Sequence, residues 1–169
     1  MEEYNIYKDW DLWKNNFQRN GRFHPNLDFI VREIGKKKHF AEFQKDTSNS
    51  LVVFSYAIAK QLEEKKLKPT QLRRFYTYVK KLQYKVGPQE KDLPAKVLVG
   101  LAFLPPKLAG ASTKKDEVKP LFKVISACLA NRKITTKPDY DYFVEFFEAI
   151  LDYHQVLSKS KSNQEESES

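Results

Sequence analysis

Residues 70–86 read TQLRRFYTYVKKLQYKV, and two stripes of side chains recur through them at helical spacing. The first stripe is apolar and contains Leu72, Phe75, Tyr76, Val79, Leu82 and Val86. The second stripe is cationic around one aromatic ring and contains Arg74, Tyr78, Lys81 and Lys85, with Arg73 and Lys80 beside it. Because an α-helix turns once in about 3.6 residues, the pattern predicts a helix with one face on a core and a cationic face in solvent.

Charge is unevenly distributed along the chain. The 169 residues carry a net charge of +8, and 41% are hydrophobic, a composition typical of one globular domain. Residues 60–85 hold nine Lys or Arg and two Glu, whereas residues 138–157 hold five acids and no Lys or Arg. A cationic face with interleaved aromatic rings suits a nucleic-acid backbone. Opposite charges on different helices also suit head-to-tail association of copies.

Helical spacing continues beyond the first stretch and predicts an all-α protein, a five-helix bundle over residues 51–157. The expected helices are 51–64, 70–86, 93–104, 115–131 and 138–157. The helix over residues 93–104 has little polar face, so we expect it to be central. Pro105 and Pro106 are expected to end it, leaving residues 107–113 as an irregular piece or one to two turns.

The two ends differ from this bundle. Residues 1–50 form an aromatic-rich extension of short helices, in which Trp10, Trp13 and Phe17 share one face that contacts another subunit or covers the core. Residues 158–169 are a Ser/Lys/Glu stretch that we expect to be disordered. No strand pair is predicted. No apolar run approaches the roughly 20 residues of a membrane helix, so we expect a cytoplasmic protein without a membrane partner.

Catalytic and metal-binding motifs are missing from the sequence. His24, His39 and His154 are widely separated, and neither HExxH, CxxC nor a phosphate-binding glycine loop occurs. We therefore expect no catalytic set, no metal and no cofactor. A small ribonuclease using His39 or His154 as acid or base stays open as a weaker hypothesis, beside a loop histidine and a packed core histidine.

Cations in the turns extend the expected nucleic-acid surface. Lys107, Arg132 and Lys133 are lesser candidates, and the turns 65–69 and 107–115 are expected to frame one rim of the bundle. Tyr78 is a lesser candidate for stacking on a base or a sugar. In the alternative interpretation these charges form a solvated surface, with Arg73 or Arg74 paired to acids of the last helix.

Two stretches resemble a known family. Residues 70–82, TQLRRFYTYVKKL, resemble the helix-two signature of the small subunit (Csm family) of type III-A CRISPR effector complexes. Residues 142–154, YFVEFFEAILDYH, are similar to the closing signature of the same family, and residues 106–109, PKLA, match a shorter motif between them. The family often continues that motif with Tyr and then Arg, whereas this chain continues with Gly-Ala-Ser and has its next cations at Lys114 and Lys115.

The resemblance implies a non-catalytic helical subunit of an antiviral ribonucleoprotein. Several copies would stack along the guide RNA and its target RNA beside other subunits, contacting backbone phosphates while base pairing supplies specificity. The candidate RNA-binding residues are Arg73, Arg74, Tyr78, Lys80, Lys81, Lys85, Lys107, Arg132 and Lys133. The alternative is an assembly protein whose charges contact only its protein neighbours.

Overall fold

The computed structural model describes residues 14–46 and 49–168, and these ranges contain seven α-helices. They are α1 (Leu27–Gly35), α2 (Ser50–Glu64), α3 (Pro69–Gln83), α4 (Ala95–Ala102), α5 (Leu104–Lys114), α6 (Lys119–Leu129) and α7 (Lys137–Glu168). Short 3-10 helices lie at Lys14–Asn16, Phe40–Lys45, Asp116–Val118 and Ala130–Arg132, and strands β1 (Gln18–Arg19) and β2 (Arg22–Phe23) form a small hairpin. The all-helical expectation is confirmed broadly, while the count of five helices is wrong.

Helix α2 occupies the centre of the molecule. Residues 50–59 are buried with the single exception of Val52, and α2 makes its most extensive contact with α7. Helix α3 also packs on α7, α6 contacts α2, and α1 and α5 cover α6. A helix that is apolar on all sides is stable only where neighbours cover all its sides, which is the position α2 holds.

Helix α4 is peripheral, so the prediction that residues 93–104 form the central helix is wrong. Val97 and Leu101 are buried, but the side chains of Val99 and Phe103 are 56% and 57% exposed. Helix α4 has eight residues, with Pro94 directly before it. An apolar sequence shows that a helix has much surface that favours burial. Which part of that surface is buried depends on the elements that pack against the helix.

Pro105 and Pro106 begin a helix as well as following one. Helix α4 ends at Ala102, and α5 starts at Leu104 with both prolines in its first turn. The first turn of a helix needs no N–H for an intrahelical bond, so proline is tolerated there. Residues 107–113 are therefore helical throughout, and the region 51–157 holds six helices instead of five.

A two-residue turn closes the hairpin that the sequence analysis overlooked. Asn20 and Gly21 have φ angles of 53° and 73°. Two adjacent residues with positive φ form the turn whose twist matches paired strands, and Asn-Gly is its preferred sequence. The local signal for β1 and β2 was thus present in the chain.

The described part of the N-terminal extension belongs to the same hydrophobic core as the bundle. Phe17, Ile30 and Phe40 are completely buried and join one cluster with residues of α2 and α7. For Phe17 this supports the core alternative. Trp10 and Trp13, predicted to share its face, lie outside the described residues.

The polar segment expected to be disordered is helical as far as Glu168. The Nζ atom of Lys161 lies 3.3 Å from a carboxylate oxygen of Glu63, which joins this segment to the end of α2. Helix α7 is 32 residues long but strongly charged. None of the helices in the described residues combines the length and the apolar character that crossing a membrane requires.

A buried carboxylate joins the Phe40–Lys45 segment to the start of α7. Asp139 is 1% exposed, and its side chain accepts hydrogen bonds from the backbone N–H groups of Ala41 (2.8 Å), Thr135 (3.2 Å) and Thr136 (3.1 Å). In return, the backbone N–H of Asp139 donates to the hydroxyl of Thr136 at 3.3 Å. This reciprocal capping box fixes both the start of α7 and the segment packed on it.

Replacing Asp139 with alanine is expected to lower the free energy of unfolding by about 3 kcal/mol, because three part-buried N–H groups lose their acceptor. Urea unfolding monitored by circular dichroism measures the change. Glu145→Ala, at an exposed position on the same helix, is the control and should change stability by less than about 0.5 kcal/mol. Equal and small changes in stability for both substitutions would contradict the structural role of the Asp139 hydrogen bonds.

Candidate nucleic-acid interface

An open groove beside α3 brings together half of the predicted cations. It has a volume of about 730 Å³ and is lined by one face of α3 and by Lys107 and Ala111 of α5. Five of the nine predicted binding residues line it: Arg73, Arg74, Tyr78, Lys81 and Lys107. We call it the α3–α5 groove.

The apolar stripe of α3 determines which of its side chains reach the groove. Leu72, Phe75, Val79 and Leu82 are buried, as their spacing predicted. The hydroxyl of Tyr140 on α7 also donates to the backbone carbonyl of Val79, which holds α3 on α7. With this face covered, the cationic stripe points outward. Helix α3 starts at Pro69, and Lys68 occupies the N-cap position.

Tyr78 is held in place by two neighbouring helices. Its hydroxyl donates to the backbone carbonyl of Gly100 on α4 at 2.7 Å, and the Nζ atom of Lys107 lies 5.0 Å from the ring centroid. An ammonium group over a tyrosine ring is a cation–π contact. Tyr78 therefore positions Lys107 beside α3, and the ring face under the ammonium is not open to a stacked base.

Three cations of the groove have no acidic partner in the described part of the chain. Arg74, Lys81 and Lys107 are exposed, and within residues 14–46 and 49–168 no carboxylate oxygen lies within 4.0 Å of their nitrogen atoms. Some lysines elsewhere on the surface are paired, such as Lys119 with Asp116 at 2.7 Å and Lys137 with Asp141 at 2.7 Å. The positive field of the groove is thus not neutralised from within the described chain.

Arg73 stands between the groove and the acidic face of α7. Burial and the neighbouring Glu148 raise the pKa of the Asp152 carboxyl, and the charge of Arg73 opposes that rise. The described residues nevertheless contain no ion pair within 4.0 Å for Arg73 or Arg74. The alternative prediction was an ion pair between Arg73 or Arg74 and an acid of the last helix. The structure shows only a longer-range attraction between Arg73 and Asp152.

The other predicted cations lie away from the groove. Lys80 is half-buried with its Nζ atom 6.0 Å from the ring centroid of Tyr84, and Lys85 is exposed just after α3. Arg132 borders a separate apolar depression of about 480 Å³ near α4 and α6.

Lys133 is enclosed, contrary to its prediction as a surface contact. The residue is 2% exposed, and its ammonium donates to the backbone carbonyl of Ala130 at 3.2 Å. Asn131 and Arg132 before it have φ angles of 55° and 56°, so the chain turns sharply and directs Lys133 inward. Its own carbonyl accepts a hydrogen bond from the N–H of Phe40, which gives the residue a structural role.

The candidate acid–base residues lie outside the groove. The Nδ1 atom of His39 is 3.8 Å from the structural carboxylate of Asp139, and His154 is completely buried in the core. Burial also raises the pKa of the Cys128 thiol, so the thiol stays protonated. In the part of the chain that the structure describes, no three His, Cys, Asp or Glu side chains are grouped to hold a metal ion.

Helices α4 and α5 shape the groove in ways that the cationic stripe of α3 did not predict. A methyl group added at Gly100 would lie 2.5 Å from a methyl of Leu82, so the glycine permits the close approach of α4 to α3. A single glycine within the apolar stretch 95–102 was a signal of such an approach. No local sequence pattern indicated that α5 would place Lys107 against the ring of Tyr78.

Comparison with known proteins gives one family. The family model described as Csm2 Type III-A matches residues 45–160, which include α2 to α6 and most of α7. The match confirms the family resemblance seen in residues 70–82 and 142–154. Neither the curated proteins nor the solved structures give a significant match.

Gly100→Ala is expected to destabilise the protein by about 1 kcal/mol, because overpacking against Leu82 outweighs the better helix propensity of alanine. Gly110→Ala is the matched control, since nothing lies within 4 Å of the added methyl. It should stabilise α5 by up to about 1 kcal/mol. Thermal unfolding of both variants gives the comparison, and a stabilising effect of Gly100→Ala would contradict the close helix contact.

Stability is expected to fall as the pH drops below about 6.5. Burial lowers the pKa of His154 from its ordinary value of 6.5, so the unfolded chain binds a proton more readily than the folded chain. The stabilisation is complete above the unfolded pKa and is lost progressively below it. Urea unfolding between about pH 7 and pH 5.5 should show a weaker pH dependence for His154→Leu than for the original chain. A pH dependence of His154→Leu as strong as that of the original chain would contradict the assignment.

Proposed function

Because the chain belongs to the Csm2 family of type III-A CRISPR effector complexes, we propose that it is a non-catalytic, RNA-binding small subunit. Several copies stack along the guide RNA and the target RNA of a cytoplasmic ribonucleoprotein that acts in antiviral defence. Each copy contacts the RNA backbone through the α3–α5 groove and contacts other subunits of the complex.

The observation that carries the proposal is the set of unpaired cations in the groove. Arg74, Lys81 and Lys107 converge on one open surface within the matched residues 45–160 and have no carboxylate partner among the described residues. A phosphate backbone neutralises such charges and releases its counterions, which favours binding without any base contact. Base pairing between guide and target then supplies the specificity.

The chemistry of the groove suits phosphates better than bases. Arg74 can present a planar fork of N–H donors to phosphate oxygens, while Lys81 and Lys107 add mobile point charges. The ring of Tyr78 is half-buried and has one face covered by Lys107, so it serves as a support for that lysine. Lys80, Lys85 and Arg132 lie outside the groove and remain lesser candidates.

Stacking of copies is supported by opposite charges on different faces. Glu145, Glu148 and Asp152 are exposed on α7, whereas Arg74 and Lys81 are exposed on α3. Attraction between such faces favours a head-to-tail arrangement and sets its register more than its affinity.

A second candidate function is assembly without RNA contact. Its supporting observation is a pair of large apolar side chains, Val99 on α4 and Phe103 directly after it, which are more than half exposed. Exposed apolar side chains are common at protein–protein contacts. The two functions separate by crosslinking with photoreactive RNA in the assembled complex, because only the RNA-binding function places crosslinks on α3.

Replacing Arg74 and Lys81 with glutamine is expected to weaken RNA binding and reduce its salt dependence. Each lost contact to a single-strand phosphate should lower the slope of log affinity against log salt by about 0.7, or about 1.4 for the pair. Fluorescence anisotropy of a labelled target RNA, titrated with the assembled complex at several salt concentrations, measures the slope.

Lys119→Gln with Lys123→Gln is the matched control for that experiment. Both lysines are exposed, are paired with Asp116 and Asp28, and lie outside the groove. Their substitution should leave the slope unchanged. An unchanged slope and affinity for Arg74→Gln with Lys81→Gln would refute RNA binding by the groove.

A further inference from the structure

The β1–β2 hairpin holds two arginines directly opposite each other. Arg19 pairs with Arg22 across the hairpin, and Asn20 with Gly21 forms the turn at its tip. Both arginines are exposed, and in the described ranges neither has a carboxylate oxygen within 4.0 Å. Like charges at directly opposed positions of an antiparallel pair destabilise it. An anion bound between them would remove that repulsion.

Aromatic packing fixes the hairpin to the body of the protein. Phe17, directly before β1, is completely buried, stacks on Phe23 at 6.1 Å between ring centroids, and contacts Phe54 of α2 at 6.1 Å. Phe23 contacts Tyr56 of α2 at 5.3 Å, and Tyr56 contacts Tyr153 of α7 at 5.5 Å. The base of the hairpin is therefore anchored in the core, so its tip has a fixed position relative to α2 and α7.

The exposed surface of the hairpin offers charge and hydrogen bonds without an apolar contact area. Gln18, Arg19, Asn20, Gly21 and Arg22 are all exposed, and none has a large apolar side chain. Stable protein partners usually bury an apolar or aromatic anchor, whereas phosphates need only cations and N–H donors. A phosphate chain therefore fits this surface better than a protein partner does.

We propose that Arg19 and Arg22 form a clamp for the phosphates of an RNA strand. Residues directly opposite in such a pair have Cα atoms about 5.5 Å apart, so two guanidinium forks can hold one phosphate or two successive ones. The clamp lies outside the family match at residues 45–160, so the match does not include it. The clamp proposal rests on the proposed function, because its ligand is also RNA.

The clamp and the α3–α5 groove contact different stretches of RNA. Tyr76 of α3 packs on Phe147 of α7 at 5.9 Å, whereas the hairpin reaches α7 through Tyr56 and Tyr153. Tyr153 follows Phe147 by six positions, which places the two residues about 120° apart around the helix. Helix α3 and Tyr56, to which the hairpin is attached, therefore meet α7 on different faces, and the contributions of the groove and the hairpin to RNA binding should add.

The test is the double substitution Arg19→Gln with Arg22→Gln in the full chain, assayed in the assembled complex by the same anisotropy titration with labelled target RNA. The salt slope is expected to fall by about 1.4, and by about 2.8 when Arg74→Gln and Lys81→Gln are added. Thermal stability of the purified chain should stay the same or rise, because a repulsive pair is removed. A purely structural role of the arginines would instead lower it.

Arg32→Gln with Lys45→Gln is the control, since it removes two exposed cations from the same extension. The salt slope of this control should equal that of the original chain. An equal fall of the slope in the control and in the clamp variant would indicate a general effect of charge and would overturn the proposal. An unchanged slope for the clamp variant, with a reduced slope for the groove variant, would overturn the clamp alone. Unchanged slopes for both would refute RNA binding altogether. A combined effect smaller than the sum would overturn the separation of the two surfaces.

Discussion

The structure depends on the covering of helix α7 from several sides at once. Its buried side chains include six aromatic or aliphatic residues in the span 143–151 and point in several directions around the helix axis. One neighbouring helix cannot cover such a surface. Helix α2, helix α3 and the Phe40–Lys45 segment each take a part of it. The other elements then pack around this set.

This arrangement places the cations of α3 in solvent. The apolar stripe of α3 faces α7, and the bond from Tyr140 to the carbonyl of Val79 holds it there. The close contact of α4 at Gly100 and the helical form of α5 then bring Lys107 to Tyr78. A stripe on one helix thereby becomes a groove with two walls.

Enclosed and exposed ionisable groups serve different purposes in this protein. Asp139, Lys133 and His154 are buried, and the first two make hydrogen bonds that join the N-terminal extension to the bundle. Burying an ionisable group is unfavourable unless partners satisfy it; Asp139 and Lys133 have such partners, so both are committed to the fold. The exposed cations of the groove and the hairpin lack such partners among the described residues and are available to a polyanion.

The sequence alone determined the features that repeat locally. The 3.6-residue period gave both faces of α3, the five expected helices all occur, and two signatures gave the family. The Asn20-Gly21 turn was also a local signal, although it was overlooked. Only the tertiary structure decided which apolar helix is central, that Lys133 points inward, and that Lys107 reaches Tyr78. These features depend on which elements, distant in sequence, pack against each other. A local sequence pattern shows only that a surface favours burial.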